Sequence, residues 1–167
     1  MPFDEAFVLL FQVEFPRLFR YLDRLSGEPD LAADLAQESF VRLHRRGSMP
    51  DNPPVWLVTV ALNLFRNARS TRSRRGRLLT AARAEATLAE PPPAPDQMSD
   101  SEGADERVSA ALRRLPPRDR ELLLLKAEGY SYREIATALK LNEASVGTLL
   151  ARAKRAFREG YDAADAS

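Results

Sequence analysis

Seven arginines and no acidic residue lie between positions 66 and 84, beginning Arg66, Arg69, Arg72, Arg74. Guanidinium groups at this density suit phosphate, because each is always charged and offers several N–H donors to the oxygens of a polyanion. At helical spacing Thr59, Asn63, Arg66 and Ser70 share one face, and Asn67 and Arg69 adjoin it. A second basic group, Arg152, Lys154, Arg155 and Arg158, lies near the C-terminus. Between the two blocks the sign reverses: residues 85–106 hold seven acids and no base. Such blocks commonly meet polyanions or oppositely charged partners, although a solvated surface can also produce them.

A third group is rich in acceptors. Asp34, Gln37 and Glu38 fall on one side of a helix that Asp30 can cap and that runs to about Arg46, opposite an apolar stripe of Ala32, Ala36, Phe40 and Leu43. That side could pair with Arg or Lys on a partner, or be an ordinary solvated face. Trp56 could stack on an unpaired base, but its register with Leu57, Val60 and Leu64 predicts a core position. The residues of covalent and metal chemistry are scarce. With no Cys and one His, thiolate ligation, disulfides and a Ser/His/Asp relay have no material. His44, beside Arg45 and Arg46, reads as a helix-end residue. Neither a phosphate-cradling glycine loop, a zinc motif nor a two-metal carboxylate set is visible. We therefore expect no enzyme activity, cofactor or metal.

The elements that must position these groups read as helices throughout. In 167 residues, 44% of them apolar and with a net charge of +1, there is room for one ordinary domain or two small ones. Phe7, Phe11, Phe15, Leu18, Leu22 and Leu25 recur at steps of three and four, which is helical periodicity. Pro16 is expected to start a second segment or kink the first. Pro53-Pro54 open another helix through Trp56, Leu57, Val60, Ala61 and Leu64, and Pro91-Pro-Pro-Ala-Pro95 sits in a stretch with too little apolar surface to order. Val108, Ala111, Leu112 and Leu115 resume helical spacing, and Pro116-Pro117 start the helix containing Leu122 to Leu125. Ser131 and Glu134 form a capping box, and Asn142 caps the last helix.

The expected fold class is all-α: two small helical domains, residues 1–84 and 106–162, joined by an acidic, Pro-rich flexible linker at 85–105. No apolar run approaches the roughly 20 residues needed to cross a bilayer. The acidic start Met-Pro-Phe-Asp-Glu is unlike a secretory signal. These features predict a cytoplasmic protein.

Residues 132–151 fit helix-turn-helix spacing, with Ile135, Leu139, Leu141, Val146 and Leu149 as the core set and Ala136 as the small residue. The turn position that often holds Gly is Lys140, at a cost of about 1 kcal/mol if the backbone is left-handed. The second helix of such a unit enters the major groove. Ser145, Thr148 and Arg152 lie opposite Val146, Leu150 and Ala153, with Lys154, Arg155 and Arg158 following. Gly147 and Ala151 offer no side-chain hydrogen bonds, so phosphate contacts should dominate affinity.

Taken together the residues resemble a bacterial sigma factor of the extracytoplasmic-function (ECF) group. Phe15-Pro-Arg-Leu-Phe-Arg-Tyr-Leu22, Asp34-Leu-Ala-Gln-Glu-Ser-Phe40 and Val55-Trp-Leu57 followed by Asn63 resemble the family's first domain. Ala111-Leu-Arg-Arg-Leu-Pro-Pro117 through Gly129-Tyr-Ser-Tyr-Arg-Glu-Ile-Ala136 are similar to its promoter-binding domain. The resemblance implies a monomer, when free, that binds core RNA polymerase and directs it to promoter DNA. Asp34, Gln37 and Glu38 would meet the coiled coil of the largest polymerase subunit, and the flap is a further implied contact. Asn63, Arg66, Asn67 and Arg69 would engage and help open the minus-ten element. Arg133, Ser145, Thr148, Arg152, Lys154 and Arg155 would serve the minus-thirty-five element. The acidic linker would thread toward the RNA path, and an anti-sigma factor is a further implied partner. Leu62, Asn67, Gly147, Leu149 and Ala151 depart from the side chains common in the family. The alternative reading is a free-standing helix-turn-helix regulator, which leaves the Arg66 to Arg77 block and the Asp34 face without a role.

Overall fold

The structure is a computed structural model describing residues 1–82 and 100–165, and these residues form seven α-helices and no strand. Helix α1 (Phe3–Ser26) ends at Gly27, whose φ of 70° lets its N–H reach the Asp23 carbonyl at 2.7 Å. A left-handed residue at this position favours glycine, which has no Cβ to clash. Pro16 neither ends nor divides α1. It lies on the exposed side together with Gln12, whose carbonyl loses its usual helical partner, and water can serve that carbonyl instead. Helix α2 (Pro29–Arg46) has its proline at the first turn, where an N–H would be unpaired anyway. The cap is Glu28 rather than Asp30: the Ser26 hydroxyl accepts the Glu28 N–H at 3.0 Å.

Helices α1 and α2 form an antiparallel hairpin that brings Phe3 and Phe7 against His44 at ring separations of 6.2 and 5.3 Å. Helix α3 (Pro53–Ala82) starts where the Asn52 side chain accepts the Val55 N–H at 3.3 Å, and it packs across the hairpin. Ala32, Ala36, Phe40 and Leu43 are buried as their spacing predicts. On α3 the register is turned from the expected one. Val58, Leu62 and Phe65 join Leu57 and Ala61 in the core, while Trp56, Val60 and Leu64 are half-buried. Both stripes obey helical periodicity, and the hairpin's shape chooses between them by which side chains it accommodates.

The second group comprises α4 (Asp100–Arg114), α5 (Pro117–Ala127), α6 (Tyr132–Leu139) and α7 (Glu143–Asp165). Helix α4 takes in residues 100–105 of the segment expected to be linker; residues 85–99 of that segment lie outside the described residues. The extension follows from packing: buried Ala111 and Leu112 anchor α4 alongside α7, and once nucleated a helix adds residues cheaply. Arg120 ties the α4–α5 corner, donating to the carbonyl of Leu112 at 3.0 Å and of Leu115 at 3.4 Å. Leu122, Leu125, Ile135, Leu139, Val146 and Leu150 fill this core. Full burial of each such side chain contributes about 1.5–3 kcal/mol. The two helix groups touch one another, α1 against α5 and α3 against α6.

Candidate nucleic-acid interface and partner surface

Helices α6 and α7 meet at a turn built from local chemistry. The Ser131 hydroxyl accepts the Glu134 N–H at 3.1 Å, and the Glu134 carboxylate accepts the Ser131 N–H at 2.9 Å, so the capping box is complete. The Ser131 N–H holds the Glu134 carboxyl below its ordinary range, helped by Asn52. Lys140 adopts φ 57° and ψ 49°, the left-handed conformation the turn demands, and its N–H bonds to the Ala136 carbonyl. Asn142 then caps α7 by accepting the Ala144 N–H at 3.1 Å. Ile135, Leu139 and Val146 are buried as expected, but Leu141 and Leu149 are only partly so. Leu150 and Ala153 complete the core instead, because α7 presents its 146/150/153 stripe to α5 and α6.

That orientation decides the opposite face. Ser145, Thr148, Arg152 and Arg155 are exposed along one side of α7, and Lys154 is exposed on another. Arg133, on α6, is 82% exposed and lies 3.7 Å from the Glu143 carboxylate, a solvated pair that leaves its side chain available. Of the residues expected to meet the minus-thirty-five element, Lys154 lies toward α5, lining a hollow with Leu123, Phe157, Arg158 and Tyr161, whereas Ser145, Thr148, Arg152 and Arg155 share one side of α7 with Arg133 near its start. Gly147 sits between them, and a Cβ there would lie 3.5 Å from the Tyr132 ring, so the aromatic side chain of α6 covers part of the helix where a longer residue could stand.

On α2 the acceptor group is presented as its spacing predicts. Asp34 and Gln37 are exposed and Glu38 is half-buried, with Arg42 reaching its carboxylate at 3.2 Å. Val41, 41% exposed, extends the same face as an apolar contact point that charge-based reading of the sequence passes over.

Helix α3 departs from expectation. Asn63, Asn67 and Arg69 are exposed, with the Arg69 guanidinium 5.5 Å from the Phe65 ring centre. Arg66, although on the same helix, turns toward the second helix group. It donates to the Glu121 carboxylate through Nε at 3.3 Å and Nη2 at 2.6 Å. Glu121 is 4% exposed, and the Tyr21 hydroxyl donates to its backbone carbonyl at 3.3 Å. Burial, then the nearby Glu121 charge, raises the Tyr21 hydroxyl well above the usual phenol range, so Tyr21 stays a neutral donor. Arg17 donates to the Glu128 carbonyl at 3.0 Å with its guanidinium 3.8 Å from the Tyr130 ring centre, and Arg20 reaches the Glu128 carboxylate at 3.4 Å. Asn52 donates to Glu134 at 3.3 Å. Arg17, Tyr21, Glu121 and Tyr130 carry no sequence signal for this contact, since each partner lies about a hundred residues away or on another helix.

Two segments match known families: Sigma-70 region 2 over residues 10–75 and Sigma-70 region 4 over residues 105–157. The class is therefore that of the RNA polymerase sigma factors. Whole-chain relatives narrow it. The ECF RNA polymerase sigma factor EcfG of Rhodopseudomonas palustris is 34% identical over 148 residues, covering 84% of this chain and 75% of that protein. The RNA polymerase sigma factor CarQ of Myxococcus xanthus is 34% identical over 160 residues, covering 93% and 87%. The ECF RNA polymerase sigma factor SigE of Mycolicibacterium smegmatis is 32% identical over 148 residues, covering 86% of this chain, which spans 56% of that relative's length. The sigma factor RpoE of Bartonella quintana, solved in complex with the anti-sigma factor NepR, superposes with a TM-score of 0.68 at 24% identity, over 95% of this chain and 98% of that one, which marks a shared fold. The chain belongs to the ECF group of RNA polymerase sigma factors.

Proposed function

We propose that this chain binds core RNA polymerase and directs it to promoters with two upstream elements, without a chemical step of its own. The observation that carries this reading is the exposed side of α7, where Ser145, Thr148, Arg152 and Arg155 point away from a fully apolar stripe. A helix so arranged enters the major groove with short polar side chains toward base edges and arginines toward phosphates. The division into a first domain at residues 1–84, a linker at 85–105 and a second domain at 106–162 belongs to the same reading. Asp34, Gln37 and Glu38, with Val41 beside them, dock the largest subunit's coiled coil, and the second domain meets the flap. Asn63, Asn67, Arg69 and, once released, Arg66 engage the minus-ten element. An anti-sigma factor is a fitting regulator, since covering either surface would silence the chain. The protein works in the cytoplasm, where polymerase is; among the described residues no helix is long and apolar enough to cross a membrane.

The decisive test is run-off transcription from fragmented genomic DNA by bacterial core polymerase with and without the chain, mapping new 5′ ends. Discrete starts sharing two upstream elements are expected. No new starts with the cognate core enzyme would return the free-standing regulator to first place, with dimerisation and autonomous duplex binding as its marks.

A further inference from the structure

The exposed side of α7 is not uniformly polar. At its first turn Asn142, Glu143, Ala144 and Gly147, together with Tyr132 of α6, border an open hollow of about 590 Å³. Ala144 lies one turn before Thr148 on the helix, so the hollow adjoins the side that carries Ser145, Thr148, Arg152 and Arg155. A missing side chain and a ring shape it. Gly147 contributes only backbone, and the Tyr132 ring, on a residue 44% exposed, stands 3.5 Å from where a Cβ on Gly147 would be. The Lys126 ammonium lies 5.1 Å from the centre of that ring, a cation–π contact that steadies the ring as a wall. Ala144 adds an exposed methyl group.

This chemistry disfavours the DNA backbone and discriminates among bases. None of the described residues lining the hollow is basic, and the Glu143 carboxylate at its edge repels a phosphate. Base edges carry no such charge. In the major groove they present hydrogen-bond donors and acceptors, and the C5-methyl group of thymine is the one apolar group among them. An aromatic ring, an alanine methyl and bare glycine backbone give that methyl group dispersion contacts on several sides and let it leave water.

We propose that the Tyr132–Gly147 hollow reads a thymine of the minus-thirty-five element through its C5-methyl group, which makes Tyr132 and Gly147 specificity-determining residues. This role rests on the reading of α7 as a major-groove helix. It places sequence discrimination at a position without a hydrogen-bonding side chain, where glycine acts by the room it leaves. A longer side chain at 147 would occupy that room itself. Ser145 and Thr148 remain the polar readers, and Arg152 and Arg155 the phosphate contacts.

Deoxyuridine lacks only the methyl group of thymidine, so the contact can be tested one group at a time. A random-sequence duplex library, made once with thymidine and once with deoxyuridine, is selected by the full chain, alone and with core polymerase, and sequenced. Synthetic duplexes of the enriched motif, each with one thymidine replaced by deoxyuridine, then give affinities. At one position the replacement should weaken binding about fourfold, the effect of leaving one methyl group unburied. Gly147→Leu fills the hollow and puts a better helix former into α7, so it should fold, bind the thymidine duplex no better than the deoxyuridine one, and erase the difference. Tyr132→Ala removes the wall and should bring the ratio toward one. Equal affinity for thymidine and deoxyuridine at every position of the motif would overturn the proposal, as would a fourfold preference that survives unaltered in Gly147→Leu, or a selection that yields no motif. Run-off transcription separates this from the functional reading. Polymerase-dependent starts without any thymidine preference defeat the hollow and leave the sigma-factor reading standing, whereas a preference lost in Gly147→Leu, with no such starts, does the reverse.

Discussion

The two basic regions of the chain look alike on paper and are used differently in the structure. The arginines of α7 stand free because the helix commits its opposite stripe, Val146, Leu150 and Ala153, to a local core built from α5 and α6. The arginines of α3 extend from a helix whose buried stripe faces the hairpin, and two of them are captured by distant carboxylates, Arg66 by Glu121 of α5 and Arg72 by Glu28. A basic residue on an amphipathic helix is thus available or not according to what the second neighbour presents, which charge counting does not see. Of the two proposed DNA surfaces, the α7 side is ready in the free chain and the α3 side is partly occupied.

The comparison can be broken most severely at the core that holds α7 in place. Ile135→Ala, at a position with 0% exposure, should cost about 2–5 kcal/mol. Its effect should fall on the helix-turn-helix half, read as lost amide exchange protection in α5 to α7 before α1 to α3. Uniform loss across the chain would mean that the two halves fold as a single unit. A functional contrast comes next. Arg152→Ala with Arg155→Ala should weaken promoter binding by holoenzyme for most sequences alike and lower the salt slope by roughly two, as lost phosphate contacts do. Selective loss at some promoters would make these arginines base readers.

Asp34→Ala with Glu38→Ala tests the surface that is neither basic nor part of the contact between the two helix groups. It should weaken association with core polymerase about tenfold, in line with loss of a few rim charges, while thermal melting stays unchanged. Unaltered association would remove the assignment of that face. The smallest effect concerns the turn. Lys140→Gly relieves a left-handed side chain and should raise stability by about 0.5–1 kcal/mol, reduced by the freedom glycine adds to the unfolded chain. A lower melting temperature would show that the Lys140 side chain contributes more than its backbone costs.

Much of the helix-turn-helix was legible because its determinants are local. Ser131 and Glu134 sit at capping-box spacing, Asn142 precedes the helix it caps, and Lys140 occupies the place of a left-handed residue; each needs only neighbours within a few positions. The α2 stripe was legible for the same reason, since four buried residues at steps of three and four admit one face only. Helix α3 was harder. Its apolar residues are numerous enough for two overlapping stripes, so Leu62 and Phe65 took the places expected for Trp56 and Leu64 when the helix settled against the α1–α2 hairpin. Pro16 lies within α1 instead of starting a second helix, because the cost of an interior proline depends on whether the freed carbonyl meets water, and that depends on which side of α1 is packed.

The amino-acid sequence alone determined the helical class, the positions of most caps, the acceptor face of α2 and the basic face of α7, all of which follow from periodicity and short-range hydrogen bonding. Only the tertiary structure decided that Glu121, four residues into a leucine-rich helix, would lie buried against Arg66, and that Tyr21 and Arg17 would close over the same joint. The reason is physical. A cap is chosen by atoms a turn away, whereas a carboxylate loses its water only when two separately folded surfaces meet, and no local pattern records which surfaces those are.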